Sequence, residues 1–330
     1  MKAVVMDGFG GPEVLSIGEA PDPVIGEHDL LVRVKATALN RADLLQRMGG
    51  YPPPPGASEI LGLEMAGEVV HVGPGVPGWK RGDRVFALLP GGGYAELAAV
   101  PAAMAMRIPD NLSYEQAAAI PEVFLTAYLN LFELAHLQAG DTVLVHAGAS
   151  GVGTAAIQLI REAGATSMVT AGSPEKLNRC VQLGASAGWN YKQGPFAPWI
   201  QERTKGRGVD IILDFIGAPY FEQNLQSLAV DGRLVIIGTM GGVKVDQLNL
   251  GFLLRNRLQV IGTALRSRSP ETKAQLTKKF AAFALERFAD GRLQPVIDKV
   301  FDWTEAAAAH AYMESNANTG KIVLRVDGGA

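Results

Sequence analysis

From Asp141 to Leu265 the chain repeats one rhythm, in which short apolar runs alternate with stretches of helical periodicity. The runs are "TVLVHA", "TSMVTA", "AGWNY", "VDIILDFIG", "RLVIIGT" and "LQVIGTAL", and the intervening stretches include "GTAAIQLIREAG" and "PEKLNRCVQLGA". Continuous Val, Ile and Leu, rather than an apolar–polar alternation, marks strands buried on both faces, and helical crossovers make such strands parallel. "AGWNY" is the weakest of the six. The expectation is an α/β fold with a doubly wound six-stranded parallel sheet.

The first 110 or so residues read differently. "DLLVRVKATALN", "AGEVVHVGPGV" and "RGDRVFALLPGGGYAELAAV" are short strand patterns broken by Gly and Pro, which predicts a β-rich, barrel-like module. Pro52 to Pro55 form a stiff extended loop that no central strand could hold. Ser113 and Gln116 fit a capping box, Pro121 interrupts the helix they open, and "EVFLTAYLNLFELA" reads as a second, largely buried helix. After about residue 265 the pattern is helical again and closes on the strand "GKIVLRV". That tail is too short for a domain of its own, so it is expected to return to the first module. The domains are then residues 1–122 with 266–330, and residues 123–265.

Other classes find little support. A net charge of −3 with scattered lysines and arginines gives no nucleic-acid or anionic-membrane footprint. Cys180 is the only cysteine, so neither an internal disulfide nor a cysteine-built zinc site can form. No apolar run is long enough to span a bilayer, and "MKAVVMDGFGGPEVL" lacks the features of a signal peptide or presequence. A cytosolic location is expected.

The first apolar run leads into "VLVHAGASGVGTAA", where Gly148 and Gly153 keep the outer spacing of G-x-G-x-x-G and Ser150 replaces the middle glycine. A strand before and a helix after are what a pyrophosphate needs, because it binds free N–H groups at a helix start approached closely by backbone. Serine narrows the approach but adds a hydroxyl donor, and Gly151 and Val152 complete the turn. The turn is read as a dinucleotide site of Rossmann type. An NAD-selective site carries an acid at the end of the second strand. Here the residues are Ala171-Gly-Ser-Pro-Glu-Lys176, so Gly172 and Ser173 leave room for a 2′-phosphate, Lys176 offers it a charge, and Tyr191 a hydroxyl. Glu175 argues mildly the other way, and Lys176 alone also reads as a solvated helix residue. The combination favours NADPH.

The stretches "ALNRADLLQRMGGY", "LGLEMAGEV", "GDRVFALL", "AAAIPEVFLTAY", "HAGASGVGTAAIQL", "TAGSPEKL" and "GKIVL" run through almost the whole chain. Together they resemble the medium-chain dehydrogenase/reductase superfamily, and within it the zinc-free quinone oxidoreductases. "NRADLLQRMGGYPPPPGASEILGLE" and "LLPGGGYAE" are especially similar to the tumour-suppressor-induced members. The resemblance implies that the β-rich module is GroES-like. Zinc-dependent relatives carry Cys at the position of Asn40 and His immediately before Glu64, where this chain has Asn40 and Leu63. An amide and an alkyl chain do not assemble a tetrahedral zinc, and no metal is expected. Alcohol oxidation must stabilise an alkoxide, whose conjugate acid has a pKa of roughly 15.7. Quinone reduction leaves a phenolate-like oxyanion, with a conjugate acid near about 10.

By the same resemblance Asn40 and Asp43, i and i+3 on one helical face, lie near the nicotinamide, although Asn40 reads equally well as a helix cap. Tyr51 is expected to donate a hydrogen bond to the acceptor oxygen, with packing against the prolines as the alternative. Thr126 resembles the residue facing the nicotinamide ribose, and Leu265, Arg266 and Ser267 the segment that reaches the carboxamide. Glu64 is expected to be a buried carboxylate with a partner, and Asp214 to shape the adenosine-side crevice. Gly238, Thr239 and Met240 close a strand where open α/β sheets bind ligands. "LQVIGTAL", at the sheet edge, would pair with a second copy to give a homodimer. The expected activity is NADPH-dependent hydride transfer to quinones. An enoyl or alkenal double-bond reductase and a non-catalytic, crystallin-like NADPH-binding protein are the alternatives.

Overall fold

The computed structural model describes residues 1–326. Strands β1 (Lys2–Met6), β2 (Leu15–Glu19) and β3 (Asp29–Ala38) precede helix α1 (Arg41–Arg47). Strands β4 (Glu64–Val72), β5 (Arg84–Leu88), β6 (Leu97–Pro101) and β7 (Ala105–Arg107) follow, then α2 (Tyr114–Ala118) and α3 (Pro121–Tyr128). The alternating segment runs β8 (Thr142–Val145), α4 (Gly151–Glu162), β9 (Thr166–Ala171), α5 (Pro174–Leu183), β10 (Ala187–Asn190) and α6 (Ala197–Arg203). It continues with β11 (Val209–Asp214), α7 (Phe221–Ser227), β12 (Leu228–Ile236), α8 (Leu250–Asn256) and β13 (Gln259–Gly262). The tail holds α9 (Pro270–Ala289), β14 (Ile297–Asp302), α10 (Ala306–Glu314) and β15 (Lys321–Arg325).

Two compact units result: Met1–Leu125 with the segment starting at Arg266, and Thr126–Leu265. The second holds the six-stranded sheet, in the order β10-β9-β8-β11-β12-β13, every pair parallel. The order reverses between β8 and β11, and such a switch point opens a crevice at the carboxyl ends of the strands. Its core packs Leu144, Ile212 and Leu234 of the sheet against Phe196 and Ile200. The inner runs behave as expected because they are covered on both faces, β11 being buried at all six positions, whereas the edge strands β10 and β13 hold no fully buried residue.

The first unit is built on a seven-stranded sheet, β14-β15-β3-β4-β5-β7 with β6 also on β3, beside the β1–β2 pair. Apart from the parallel β14–β15 pair, its ladders are antiparallel. The tail thus contributes two strands, one more than the sequence pattern showed. β14 escaped notice because Asp298, Lys299 and Val300 are all exposed and leave no apolar alternation. The expected capping box is present: Gln116 N–H donates to Ser113 Oγ (3.2 Å) and Ser113 N–H to Gln116 Oε1 (2.9 Å). Pro121 stands at the start of α3, which continues as a π turn over Leu129–Leu134. Among the described residues no helix is long and apolar enough to cross a membrane.

Gly67 shows how tightly β3 and β4 approach. A Cβ there would lie 2.1 Å from the Arg33 carbonyl oxygen, which leaves no room for any side chain. Gly67→Ala is expected to destabilise the protein by about 3 kcal/mol, read as a lower urea midpoint; an unchanged midpoint would show that the ladder yields freely.

Candidate active site

In the Thr126–Leu265 unit, β8 ends at Val145 and the chain turns sharply before α4. The turn takes its left-handed residue at Ala147 (φ 47°), whereas Gly151 needs no such conformation. The glycines are there for proximity. A Cβ on Gly153 would meet the Ala147 and Gly148 carbonyl oxygens at 2.5 and 2.6 Å, and one on Gly148 would meet Val169 at 2.7 Å. Ser150 is the N-cap of α4, and its Oγ accepts the Gly153 N–H (3.1 Å). The hydroxyl proton stays available to a ligand, as do the Gly151 and Val152 N–H groups, which have no intrahelical acceptor. Serine in the middle position therefore orders the helix start and still offers a donor.

At the end of β9 a Cβ on Gly172 would sit 2.5 Å from the Tyr191 hydroxyl oxygen, so that phenol lies directly over the strand end. Ser173 caps α5 by accepting the Lys176 N–H (3.3 Å), which places Lys176 in the first turn of that helix. Gly172, Ser173, Lys176 and Tyr191 are thus brought together. Below them runs a buried polar chain that the sequence did not reveal. His146 bonds Thr170 Oγ1 through Nδ1 (2.9 Å) and Asn224 Oδ1 through Nε2 (2.7 Å), and Asn224 donates to Asp214 (3.0 Å). Burial pushes His146 down to about 4, so the ring is neutral. Asp214 also accepts the N–H groups of Ile216 and Gly217, which makes it a turn-forming residue. The segment after β12 folds back onto the same turn through Met240 N–H to Phe215 O (3.2 Å) and leaves the Met240 side chain exposed.

In the other unit Asn40 is the N-cap of α1, which starts at Arg41, so Asn40 and Asp43 do not share a helical face. Asp43 accepts the N–H groups of Asn40 (2.7 Å) and Gly62 (3.1 Å) and the Tyr94 hydroxyl (3.4 Å). It is completely buried, and desolvation raises it to about 6. Its carboxylate is occupied in fixing the β3–α1 junction. The Asn40 amide turns inward too: Nδ2 donates to Glu64 Oε1 (2.8 Å) and Oδ1 accepts from Lys321 Nζ (2.7 Å). Lys321 also bonds the Leu39 carbonyl (2.6 Å) and pairs with Glu64 Oε1 (2.7 Å). Glu64 Oε2 accepts the Glu122 N–H (2.8 Å) at the start of α3. The partner expected for Glu64 is therefore Lys321.

The donor set at this point does not suit zinc. Leu63 offers no lone pair, and the Asn40 oxygen and Glu64 are both engaged by an ammonium. Among the described residues no group of His, Cys, Asp and Glu is arranged to hold a metal.

Arg266 is buried, and its guanidinium is spent locally. It donates to the Pro90 carbonyl (2.8 and 3.0 Å), to Gln46 Oε1 (2.8 Å) and more weakly to the Tyr51 carbonyl (3.4 Å). It also lies 5.2 Å from the centre of the Tyr51 ring. The guanidinium thus anchors the segment expected to reach the carboxamide; Leu265 beside it is buried and Ser267 exposed. The Tyr51 hydroxyl has no hydrogen bond among the described residues, and burial, with the Glu122 charge behind it, raises its pKa. Lys273 on α9 bonds the Arg266 carbonyl (3.2 Å). Thr126 is buried and lends its carbonyl to Asn130 (2.8 Å).

Sequence reasoning passed over Lys321, Glu122 and Lys273. The signals were faint: a lysine heading an otherwise apolar strand, and an acid inside the apolar run "AAAIPEVFL". Lys321→Met should cost about 3–5 kcal/mol by leaving Glu64 buried and unpaired. Adding Glu64→Gln should return most of that loss in a denaturation double-mutant cycle, and strict additivity would show that the pair is not coupled.

Comparison with known proteins places the chain in a family. Residues 26–110 match the family model described as alcohol dehydrogenase GroES-like domain, and residues 151–282 the one described as zinc-binding dehydrogenase. The quinone oxidoreductase of Rattus norvegicus is 31% identical over 327 residues, covering 98% of this chain and 97% of that protein. The crystal structure of Escherichia coli quinone oxidoreductase complexed with NADPH superposes with a TM-score of 0.88 at 30% identity, covering 99% of this chain and 100% of that one. A crystal structure described as an NAD-dependent alcohol dehydrogenase gives 0.87 at 34%, with 99% and 100% covered. With this identity sustained end to end on a shared α/β and GroES-like frame, the chain is an oxidoreductase that belongs to the quinone oxidoreductases of the medium-chain dehydrogenase/reductase superfamily.

Proposed function

We propose that the protein passes hydride from NADPH to quinones without a catalytic metal, in a cytosolic setting. The observation that carries this reading is the Lys321–Glu64–Asn40 cluster, in which the Asn40 amide and the Glu64 carboxylate, at and beside the zinc-ligand positions of metal-dependent relatives, are already committed to an ammonium. Without a Lewis acid, an acceptor whose product oxyanion has a conjugate acid near about 10 is within reach and an alkoxide near about 15.7 is not. NADPH fits the other unit. The Gly151 and Val152 N–H groups and the Ser150 hydroxyl are offered to the pyrophosphate, while Gly148 and Gly153, whose N–H groups are bonded within the protein, let the backbone of the turn pack closely. Gly172, Ser173, Lys176 and Tyr191 suit the 2′-phosphate, because Gly172 lets the Tyr191 hydroxyl approach the strand end and Lys176 sits in a helix first turn that favours anions. Gly238, Thr239 and Met240, with Thr126, Leu265, Arg266 and Ser267, are the further candidates for cofactor contacts, mostly through backbone. Bound NADPH supplies the hydride, two electrons with one proton. Tyr51 is proposed to orient the acceptor through its hydroxyl, while Asn40 and Asp43 hold the surrounding backbone in place.

The test is NADPH oxidation against ortho- and para-quinones and 2-alkenals, with NADH in parallel and with and without a chelator. Quinones should have the highest kcat/KM and the chelator should leave it unchanged; preference for alkenals would establish the double-bond reductase reading instead, and binding without turnover the non-catalytic one. Lys176→Glu should weaken NADPH by about tenfold or more and NADH little, whereas equal loss for both would overturn the 2′-phosphate assignment.

We further propose a homodimer formed through β13. That strand is a sheet edge paired only with β12 among the described residues, and exposed Val243, Leu250, Leu254 and Val260 surround it. Light scattering should give twice the chain mass, and Val260→Lys should give one chain; a wild-type monomer would refute the assembly.

A further inference from the structure

Three acids gather in the first unit, and two are fully engaged. Asp43 takes hydrogen bonds from two backbone N–H groups and the Tyr94 hydroxyl. Glu64 takes Lys321, Asn40 and the Glu122 N–H. The third, Glu122, is different. Its backbone is fixed to Glu64, but its carboxyl makes neither an ion pair nor a hydrogen bond among the described residues, and it is only partly buried.

We propose that the Glu122 carboxyl is the acid that gives a proton to the acceptor oxygen, a catalytic role that rests on the quinone-reductase reading above. The step balances as follows. Hydride arrival adds an electron pair to the conjugated acceptor and leaves the charge on its oxygen. The Glu122 O–H bond breaks, its proton bonds to that oxygen, and the carboxylate left behind takes a new proton from water.

The surroundings suit that duty. Burial and the neighbouring Glu64 and Asp43 charges push Glu122 up to about 8, so it carries a proton at neutral pH. Lys321 opposes this only in part, because its contacts are spent on Glu64, Asn40 and Leu39. Arg266 and Lys273 also feel the Glu122 charge and would stabilise the carboxylate after transfer. Tyr51 also senses the Glu122 charge and is the rival donor, but its phenol is raised above 10. Transfer from it to a phenolate-like oxygen near about 10 is uphill, whereas transfer from Glu122 runs downhill.

The experiment uses the full chain, with Glu122→Gln and Glu122→Asp. Infrared difference spectra of the ligand-free protein at about pH 7 should show a protonated-carboxyl band that is absent in the Gln variant. In the wild type that band should give way to carboxylate as the pH rises through Glu122's value. With NADPH and a quinone, Glu122→Gln should lower kcat at least about tenfold, less than the ~10²–10⁴ of a positioned acid because water stands in for part of it. KM for NADPH should stay unchanged. The wild-type rate should fall on the alkaline side as the acid deprotonates; this limb should vanish in the Gln variant and persist in Glu122→Asp. A Gln variant with wild-type kcat and an unchanged alkaline limb, or the absence of the infrared band, overturns the assignment alone. A wild type that reduces no quinone overturns the underlying reading and the assignment with it.

Discussion

A single buried cation organises the unit built on the seven-stranded sheet. The Lys321 ammonium has three N–H donors, and each finds an acceptor: the Leu39 carbonyl, the Asn40 amide oxygen and Glu64. Glu64 in turn uses one oxygen on Lys321 and Asn40 and the other on the Glu122 N–H. Burying a charge pair is tolerable only when the remaining lone pairs and protons are satisfied, and here they are. The pair joins β15 to the β3–α1 junction, β4 and the start of α3. Glu122 has no ion pair of its own among the described residues, and burial, with the neighbouring Glu64 charge, raises its carboxyl.

The Thr126–Leu265 unit solves a different problem with neutral groups. Thr170, His146, Asn224 and Asp214 form an uninterrupted hydrogen-bonded chain across the carboxyl ends of β8, β9 and β11. A neutral imidazole avoids the cost of a charge in the sheet while bridging two strands and a helix. It holds the strand ends from which the glycine turn and the Gly172 corner project. The left-handed Ala147 sits directly after it, in a conformation that alanine adopts only where its surroundings enforce it.

Much of this was legible in the sequence because its causes are local. Six apolar runs and their helices reported a sheet covered on both faces, and "HAGASGVG" reported a strand, a tight turn and a helix start. Ser113 and Gln116 announced their own cap. What stayed hidden depends on residues far apart in the chain. Nothing in "GKIVL" says that its lysine meets Glu64, and nothing in "IPEVFL" says that its acid lies beside two others. Asn40 and Asp43 were noticed for their spacing, yet a helix beginning one residue later makes one a cap and buries the other. Arg266 was noticed because it follows the last strand of the six-stranded sheet, but the sequence could not show its partners Gln46 and Pro90, which lie some two hundred positions upstream.

The Lys321 contacts also bear on biosynthesis. Asn40 accepts from a lysine that lies 281 positions further along the chain. A nascent polypeptide therefore exposes Glu64 and the open edge of β3 while the whole nucleotide unit emerges and has the chance to fold. Translation order and assembly order are inverted: the unit begun first is finished last. Until the ribosome delivers the final strand, chaperones have a half-made barrel with an uncompensated carboxylate to shelter.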